Sequence, residues 1–197
     1  MNILVARPVS HQHQHNIGFK PKRTHMAWSN LLLYKLSAFC RCRVINGPDQ
    51  QPYLERYHLL RLPFGYQVYL HRFVASDPGR GLHNHPWKHA LSLVLSGTYE
   101  ETRMLDARAD NVLHSRWLRP GRFNFISGET FHRVNIPQDR ECWSLFVHAP
   151  KAKSWGFLQQ QKYLDHNDIV TQESNPLWWK QARRPIQAPE MRMPCPA

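Results

Sequence analysis

The chain has 197 residues, of which 42% are hydrophobic, enough for one domain with a sizeable core and flanking extensions. It is strongly basic, because 26 lysines and arginines outnumber 14 aspartates and glutamates, for a formal net charge of +12. The start lacks the long apolar run of a secretory signal, and Lys35 interrupts the longest apolar stretch near it, so we expect no membrane span. Four cysteines without a disulfide framework or a zinc spacing favour a cytoplasmic protein.

Half of the positive excess lies in the first quarter of the chain. Residues 1–49 hold seven basic residues and one acidic residue, a net charge of +6. Basic arms commonly contact nucleic acid or anionic surfaces. We favour a solvated tail instead, because the chain has no nucleic-acid-binding motif. The alternating histidines His11, His13 and His15 are interpreted in the same way, as a tail with adventitious metal affinity.

A short helix is predicted after this arm. Between Met26 and Cys40 the apolar residues recur at helical spacing, and Ser29 is a candidate N-cap. The apolar positions are Trp28, Leu31, Leu32, Leu36 and Phe39. We expect this helix to pack across an open face of the following domain, whose start is marked by the turn-forming residues 47–49, Gly-Pro-Asp.

From Tyr53 to His148 the pattern changes to short strands. Runs of β-branched, aromatic and aliphatic residues are separated at close intervals by turn-forming residues. Eight or nine such runs predict a sandwich or jelly roll. In the last run, Trp143, Leu145 and Val147 look more like core than the alternating set Ser144, Phe146 and His148.

The main functional signal is the stretch 81–87, Gly-Leu-His-Asn-His-Pro-Trp. On an extended segment His83 and His85 point to the same side, because side chains alternate with period two. Two imidazoles aimed at one point form half of a metal site. A third ligand must come from elsewhere, and the best candidate is His132, which follows the turn sequence Ser-Gly-Glu-Thr and Phe131.

These two stretches resemble the paired motifs of the cupins, which are small double-stranded β-helix (jelly-roll) barrels. His83, His85 and Gly97 fall in register with the first motif, and Gly121 and His132 with the second. The resemblance covers roughly residues 55–158, about half of the chain. The His-x-His-Pro-Trp stretch is also similar to that of uncharacterised bacterial cupins.

The resemblance implies an all-β, cupin-type jelly-roll barrel with a short N-terminal helix and an irregular C-terminal tail. The expected division is a basic extension with one helix at 1–50, the barrel at 51–158 and a tail at 159–197. The motifs also depart from the family pattern. Ala90 stands where the first motif has a glutamate ligand, and Ser127 and Glu129 replace a proline and a glycine of the second motif.

The missing glutamate leaves three histidines, His83, His85 and His132, a ligand set that resembles the thiol-dioxygenase branch of the cupins. The resemblance implies Fe(II) or another divalent first-row metal. Three neutral donors leave the ion its full +2 charge and open positions. The competing interpretation is a barrel that kept the shape of the motifs and binds metal weakly or not at all.

Other residues are candidates for roles beside the metal. Glu129 could be a catalytic base or a further ligand, but it is equally an ordinary turn residue. Arg72 or Arg133 could bind a substrate carboxylate, since guanidinium pairs with carboxylate as a fork. His71 and His89 could act as outer acid–base groups, although surface or core histidines are more common.

The sequence leaves three functions open. We favour a metal-dependent, non-haem iron oxygenase acting on a small molecule. One alternative is a non-catalytic metal- or ligand-binding module recruited through its basic arm, for which nucleic acid is a less favoured partner. The other is an isomerase or lyase that uses the ion as a Lewis acid. For the oligomeric state, the sequence leaves a homodimer open.

Overall fold

The computed structural model of the chain describes residues 28–79, 81–104, 112–138, 140–160, 162–169, 175 and 177–195. The expected basic arm before Trp28, with His11, His13 and His15, lies outside them. The helices are α1 (Trp28–Ser37), α2 (His166–Ile169) and α3 (Trp178–Gln181), with short 3-10 turns at Pro63–Gly65 and Pro189–Met191. Within the described ranges, no helix is long and apolar enough to cross a membrane.

Twelve strands in the described ranges account for most of the regular structure. They are β1 (Arg41–Asn46), β2 (Pro52–Arg61), β3 (Gln67–Phe73), β4 (Leu82–His83), β5 (His89–Ser96), β6 (Tyr99–Met104), β7 (Leu113–Leu118), β8 (Phe123–Ser127), β9 (His132–Asn135), β10 (Cys142–His148), β11 (Gly156–Gln159) and β12 (Lys162–Asp165). They form sheet A, in the order β1-β2-β3-β10-β5-β8, and sheet B, in the order β12-β11-β4-β9-β6-β7. Every pairing in both sheets is antiparallel.

The eight strands β3 to β10 pair from the outside inwards. β3 pairs with β10, β4 with β9, β5 with β8 and β6 with β7. This nested pairing is that of one long hairpin folded over itself, which is the jelly roll of proteins such as the cupins. The predicted all-β jelly roll and the cupin-type fold are thereby confirmed. In the described residues the strands form two separate sheets rather than one continuous hydrogen-bonded barrel.

The remaining strands lengthen both sheets beyond the jelly roll. β1 and β2 extend sheet A next to β3, and β11 and β12 extend sheet B next to β4. The sheets therefore reach past residues 51–158 at both ends, with β1 before that range and β12 after it. The C-terminal segment also returns to the start of sheet A, where the Cys42 amide donates to the Arg183 carbonyl at 3.0 Å.

Apolar side chains fill both faces of sheet A. Between the two sheets, Val94, Tyr99, Leu118, Val134 and Cys142 form a core cluster. On the outer face, a second cluster of Cys42, Tyr57, Leu70 and Trp143 is covered by Leu33 and Tyr34 of α1. The N-terminal helix therefore packs across one face of the domain as predicted, but not through the predicted apolar positions. Four of those five are exposed: Trp28, Leu32, Leu36 and Phe39. Ser29 lies inside α1, where its hydroxyl contacts the hydroxyl of Ser96 at 2.6 Å, so it does not act as the predicted N-cap.

The inward face of β10 differs from the expected one. Trp143 is fully buried, but beneath α1 on the outer face of sheet A. Phe146 packs with Trp87 and Ile126 between the sheets, so alternation turns Ser144 and His148 to the same side. Because both faces of sheet A are covered, the apolar pattern of β10 could not indicate which face lies towards sheet B.

Two glycines, Gly81 before the His-x-His segment and Gly97 of the first motif, are required by close backbone approach. Gly81 has a φ of +87°, and a Cβ there would collide with the Leu158 carbonyl oxygen of β11. Gly97 has a φ of +74° in the turn between β5 and β6, where a Cβ would collide with the Glu141 carbonyl oxygen. Glycine alone adopts this left-handed conformation without strain. Gly81 thus brings the histidine segment onto β11, at the edge of the jelly roll.

Candidate metal centre

Two neighbouring strands of sheet B bring the three predicted histidines together. His83 is the last residue of β4, and His132 is the first residue of β9. The two strands pair so that His83 lies directly opposite His132. His85 follows two residues after His83 and therefore lies on the same side of the chain. Antiparallel pairing and alternation together place all three imidazoles on the inner side of sheet B.

The distances within this cluster suit a single metal ion. One ligand nitrogen from each of His83, His85 and His132 lies within 4.8 Å of the other two. The Nε2 atoms of His85 and His132 are 2.8 Å apart. Two nitrogen ligands about 2.1 Å from one ion, at right angles, would lie about 3 Å apart. The cluster therefore needs only small side-chain movements to bind a first-row divalent ion on three imidazoles.

Burial keeps the imidazole of His85 in the form that binds metal. The side chain of His132 is 4% exposed, whereas that of His83 is 18% exposed, so the cluster lies just below the surface. Burial lowers the pKa of His85 well below its usual value, and the neighbouring His132 and His83 lower it further. A neutral imidazole has a lone pair for a metal, whereas an imidazolium has none.

Glu101 of β6 orients His132 from behind. Its Oε1 atom lies 2.8 Å from His132 Nδ1, so a proton on Nδ1 leaves the Nε2 lone pair directed at the cluster. The other oxygen, Oε2, accepts hydrogen bonds from Arg103 at 2.7 Å and from Arg116 at 3.0 Å. Burial alone would raise the pKa of Glu101, but the hydrogen bonds from His132 and Arg103 hold it well below its usual range. Glu101 is therefore a buried carboxylate that fixes the tautomer of a ligand.

Asp77 takes a similar position behind His83. Its Oδ2 atom lies 3.5 Å from His83 Nδ1 and accepts a hydrogen bond from the Val134 amide at 2.8 Å. Asp77 therefore links the turn before β4 to β9. Neither carboxylate was predicted from the sequence. Alternation does require one of the adjacent Glu100 and Glu101 to face inward, but no sequence spacing connects either of them to His132.

The first prediction concerns Glu101. Replacing Glu101 with glutamine should weaken metal binding by about 10-fold to 100-fold, the usual cost of losing a carboxylate behind a ligand histidine. Calorimetric titration with the metal ion measures this change in affinity. The matched control is Glu100→Gln, since Glu100 faces the opposite side of β6 and lies 3.5 Å from Asn135. Equal affinities for the two variants would contradict the role given to Glu101.

The structure does not bring Arg72 to the cluster. Its neighbours His71 and Phe73 pack against the inner residues Phe146 and Tyr99, so alternation turns Arg72 to the outer face of sheet A. There it forms ion pairs with Glu55 at 3.1 Å and Glu141 at 2.6 Å. The guanidinium that the sequence offered for a substrate carboxylate already binds two carboxylates of the protein.

The other candidates also lie away from the three histidines. Glu129 is 80% exposed and pairs with Lys153 at 2.9 Å, so the cluster contains His83, His85 and His132 without it. Arg133 lies between His132 and Val134 of β9, and alternation turns it to the outer face of sheet B. His89 contacts the Tyr66 hydroxyl at 2.7 Å.

Aromatic rings line the space beside the cluster. Trp87 stacks on His85 with ring centroids 4.5 Å apart, and on His148 at 4.3 Å. His148 in turn stacks on Tyr69 at 5.4 Å. Ala90, at the position of the family's glutamate, is buried in this aromatic group. The side chain of residue 90 therefore supplies no carboxylate to the cluster.

Comparisons with known proteins find likenesses to solved structures. No protein-family model matches the chain, and no curated protein matches it. A recombinant oxalate oxidase in complex with glycolate is 17% identical, with a TM-score of 0.44 over 57% of this chain and 59% of that chain. The hydroxypropylphosphonic acid epoxidase from S. wedmorenis is 13% identical, with a TM-score of 0.41 over 54% of this chain and 55% of that chain. A serine-to-alanine mutant of Bacillus subtilis oxalate decarboxylase is 18% identical, with a TM-score of 0.42 over 59% of this chain and 30% of that chain.

These likenesses extend over little more than half of the chain, which spans about three-fifths of the oxalate oxidase. The fold assignment therefore rests on the nested strand pairing of β3 to β10. That pairing gives the chain a jelly-roll architecture, and three histidines on the inner side of sheet B could hold a metal ion.

Proposed function

We propose that the protein is a metal-dependent enzyme, a non-haem iron oxygenase that acts on a small molecule. The observation that carries the proposal is the convergence of His83, His85 and His132 on one point, without Glu129 or any other carboxylate in the group. A divalent first-row ion bound there would supply open coordination positions for O₂ and for a chelating substrate.

The surrounding residues have distinct tasks in this proposal. Glu101 and Asp77 orient His132 and His83 from behind. Trp87 stacks on His85 and excludes water from one side of it. The partly exposed edge of His83 leaves an approach for a small molecule. The chain's own residues thus hold the ligand nitrogens, shield one side of the site and leave the other side open.

Oxygen uptake tests this proposal. Protein purified without an affinity tag should contain about one equivalent of metal per chain. After loading with Fe(II), it should consume O₂ only when a substrate from a panel of small thiols, amino acids and phenols is added. His85→Ala should remove both the metal and the O₂ consumption. Wild-type protein that binds no first-row metal would refute the proposal.

A Lewis-acid isomerase or lyase is the second candidate. Three neutral imidazoles leave a bound ion its full +2 charge, which makes it a stronger Lewis acid than an ion with a carboxylate ligand. Product analysis separates the two candidates. Substrate turnover without O₂ consumption would favour the isomerase or lyase, whereas stoichiometric O₂ consumption would favour the oxygenase.

A further inference from the structure

Arg56 is a cationic group on the inner side of sheet A. It belongs to β2, where it pairs with His71 of β3. Its Nε donates a hydrogen bond to His71 Nε2 at 3.1 Å, and its guanidinium carbon lies 5.4 Å from the centroid of the Tyr69 ring. Its neighbour Glu55 faces the opposite side, towards Arg72. Arg56 therefore faces the same space as the aromatic rings beside the cluster.

No carboxylate of the described residues lies within ion-pair distance of Arg56. Arg72, on the other face of the same sheet, has both Glu55 and Glu141 as partners. Burial lowers the pKa of Arg56, and the groups that oppose this shift are Tyr69 and Tyr53. The side chain of Arg56 is partly buried, and a guanidinium that loses part of its hydration without gaining an anion carries a desolvation cost. A bound anion would remove that cost.

A series of packed rings connects Arg56 with the histidine cluster. His71, which accepts the hydrogen bond from Arg56, stacks on Phe146 with ring centroids 4.6 Å apart. Phe146 packs against Trp87 at 5.4 Å, and Trp87 stacks on His85 at 4.5 Å. Arg56 and the candidate metal centre therefore lie at two ends of one group of inner side chains.

A second polar group on the inner face also lacks a partner. Ser144 is 1% exposed, and its hydroxyl oxygen has no hydrogen-bond partner within the described ranges. In the register of sheet A, Ser144 lies opposite His71 of β3 and Val94 of β5. Buried hydroxyl groups are normally hydrogen-bonded. An unpartnered hydroxyl opposite His71, itself bonded to Arg56, is a second indication that a polar ligand occupies this space.

We propose that Arg56 binds the anionic group of the substrate, so that the substrate is a small carboxylic or phosphonic acid whose other end reaches the three histidines. This inference rests on the proposed function and specifies its substrate class. The Nε of Arg56 bonds to His71, so its two Nη groups are available to bind an oxyanion. Guanidinium recognises carboxylate and phosphonate through such parallel N–H donors. Ser144 supplies a further hydroxyl to the same space.

Anion binding to the full-length protein, with and without metal, tests the proposal. Acetate and methylphosphonate are the anionic probes, and acetamide is the neutral comparison. NMR titration measures the binding of each. Arg56→Gln should weaken binding of the preferred anion by roughly 10-fold to 100-fold. Arg56→Lys should lie between this variant and the wild type, because lysine keeps the charge and loses the fork. Arg61→Gln, an exposed position on the same strand, is the matched control and should bind like the wild type.

Two outcomes would overturn the inference: no affinity of the wild type for either anion, or equal affinities of Arg56→Gln and wild type. If Arg56→Gln does not fold, equal affinities of Arg56→Lys and wild type serve as the same negative result. Acetate and methylphosphonate separate a carboxylate substrate from a phosphonate one. Metal content, measured on the same samples, separates this inference from the proposed function. Arg56-dependent anion binding in protein that binds no metal would refute the function alone, whereas metal binding without anion binding would refute this inference alone.

Discussion

Replacing His132 with alanine is expected to remove nearly all metal binding while the jelly roll stays folded. His132 is held from two sides, by His85 Nε2 at 2.8 Å and by Glu101 at 2.8 Å. Removing His132 should therefore weaken metal binding by more than the factor of about 10 to 100 that is usual for losing a residue behind a ligand. Metal content after dialysis, with circular dichroism to monitor the fold, measures the effect.

The control for this prediction is His89→Ala. His89 is also a histidine of a jelly-roll strand, but it contacts Tyr66 and Phe125 outside the cluster. It should keep the metal content of the wild type. If His132→Ala retains full metal occupancy, the ligand assignment is wrong. If both variants lose metal and unfold, the histidines stabilise the fold, and His85→Gln would be needed to separate the two effects.

The clustering of the three histidines could be predicted from the sequence because two local signals coincide there. His83 and His85 share one side of an extended segment, and His132 falls in the second cupin motif. Glu101 and Asp77 escaped prediction because they act across strand pairs. Glu101 reaches His132 through the pairing of β6 with β9, and Asp77 bonds to the Val134 amide. Such contacts depend on strand register, which one sequence does not reveal.

The arginines show that the face of a strand on which a side chain lies is hard to predict from the sequence. Arg72 and Arg133 were the arginines predicted to bind a substrate carboxylate, because guanidinium pairs with carboxylate as a fork. Alternation along β3 and β9 turns both away from the cluster, while Arg56 of β2 faces the space beside it. Trp143 was likewise expected in the core between the sheets, but it is buried on the outer face of sheet A. Where α1 covers the outer face, hydrophobicity no longer distinguishes the two sides of a strand.

Replacing Arg72 with alanine is expected to lower the free energy of unfolding by about 3–5 kcal/mol, the usual cost of breaking a buried ion pair from one side. Arg72 is 1% exposed and pairs with Glu55 and Glu141, whose side chains are 0% and 5% exposed. Burial alone would lower the pKa of Arg72, but these two carboxylates raise it. Without the guanidinium, two buried negative charges would repel each other. Arg72 also donates hydrogen bonds to the Met193 and Pro194 carbonyls, so the C-terminal segment should loosen as well.

Chemical denaturation and metal analysis of the Arg72 variant distinguish a structural role from a substrate-binding one. Arg72→Ala should keep the metal content of the wild type, because Arg72 lies on the opposite face of β3 from the cluster. The triple variant Arg72→Met, Glu55→Gln and Glu141→Gln should recover much of the lost stability, since it leaves no unpaired buried charge. A stable Arg72→Ala protein that has lost only its substrate affinity would restore Arg72 as a substrate-binding residue. Loss of stability with metal binding intact would identify Arg72 as the ion-pair centre that joins β2, β10 and the C-terminal segment.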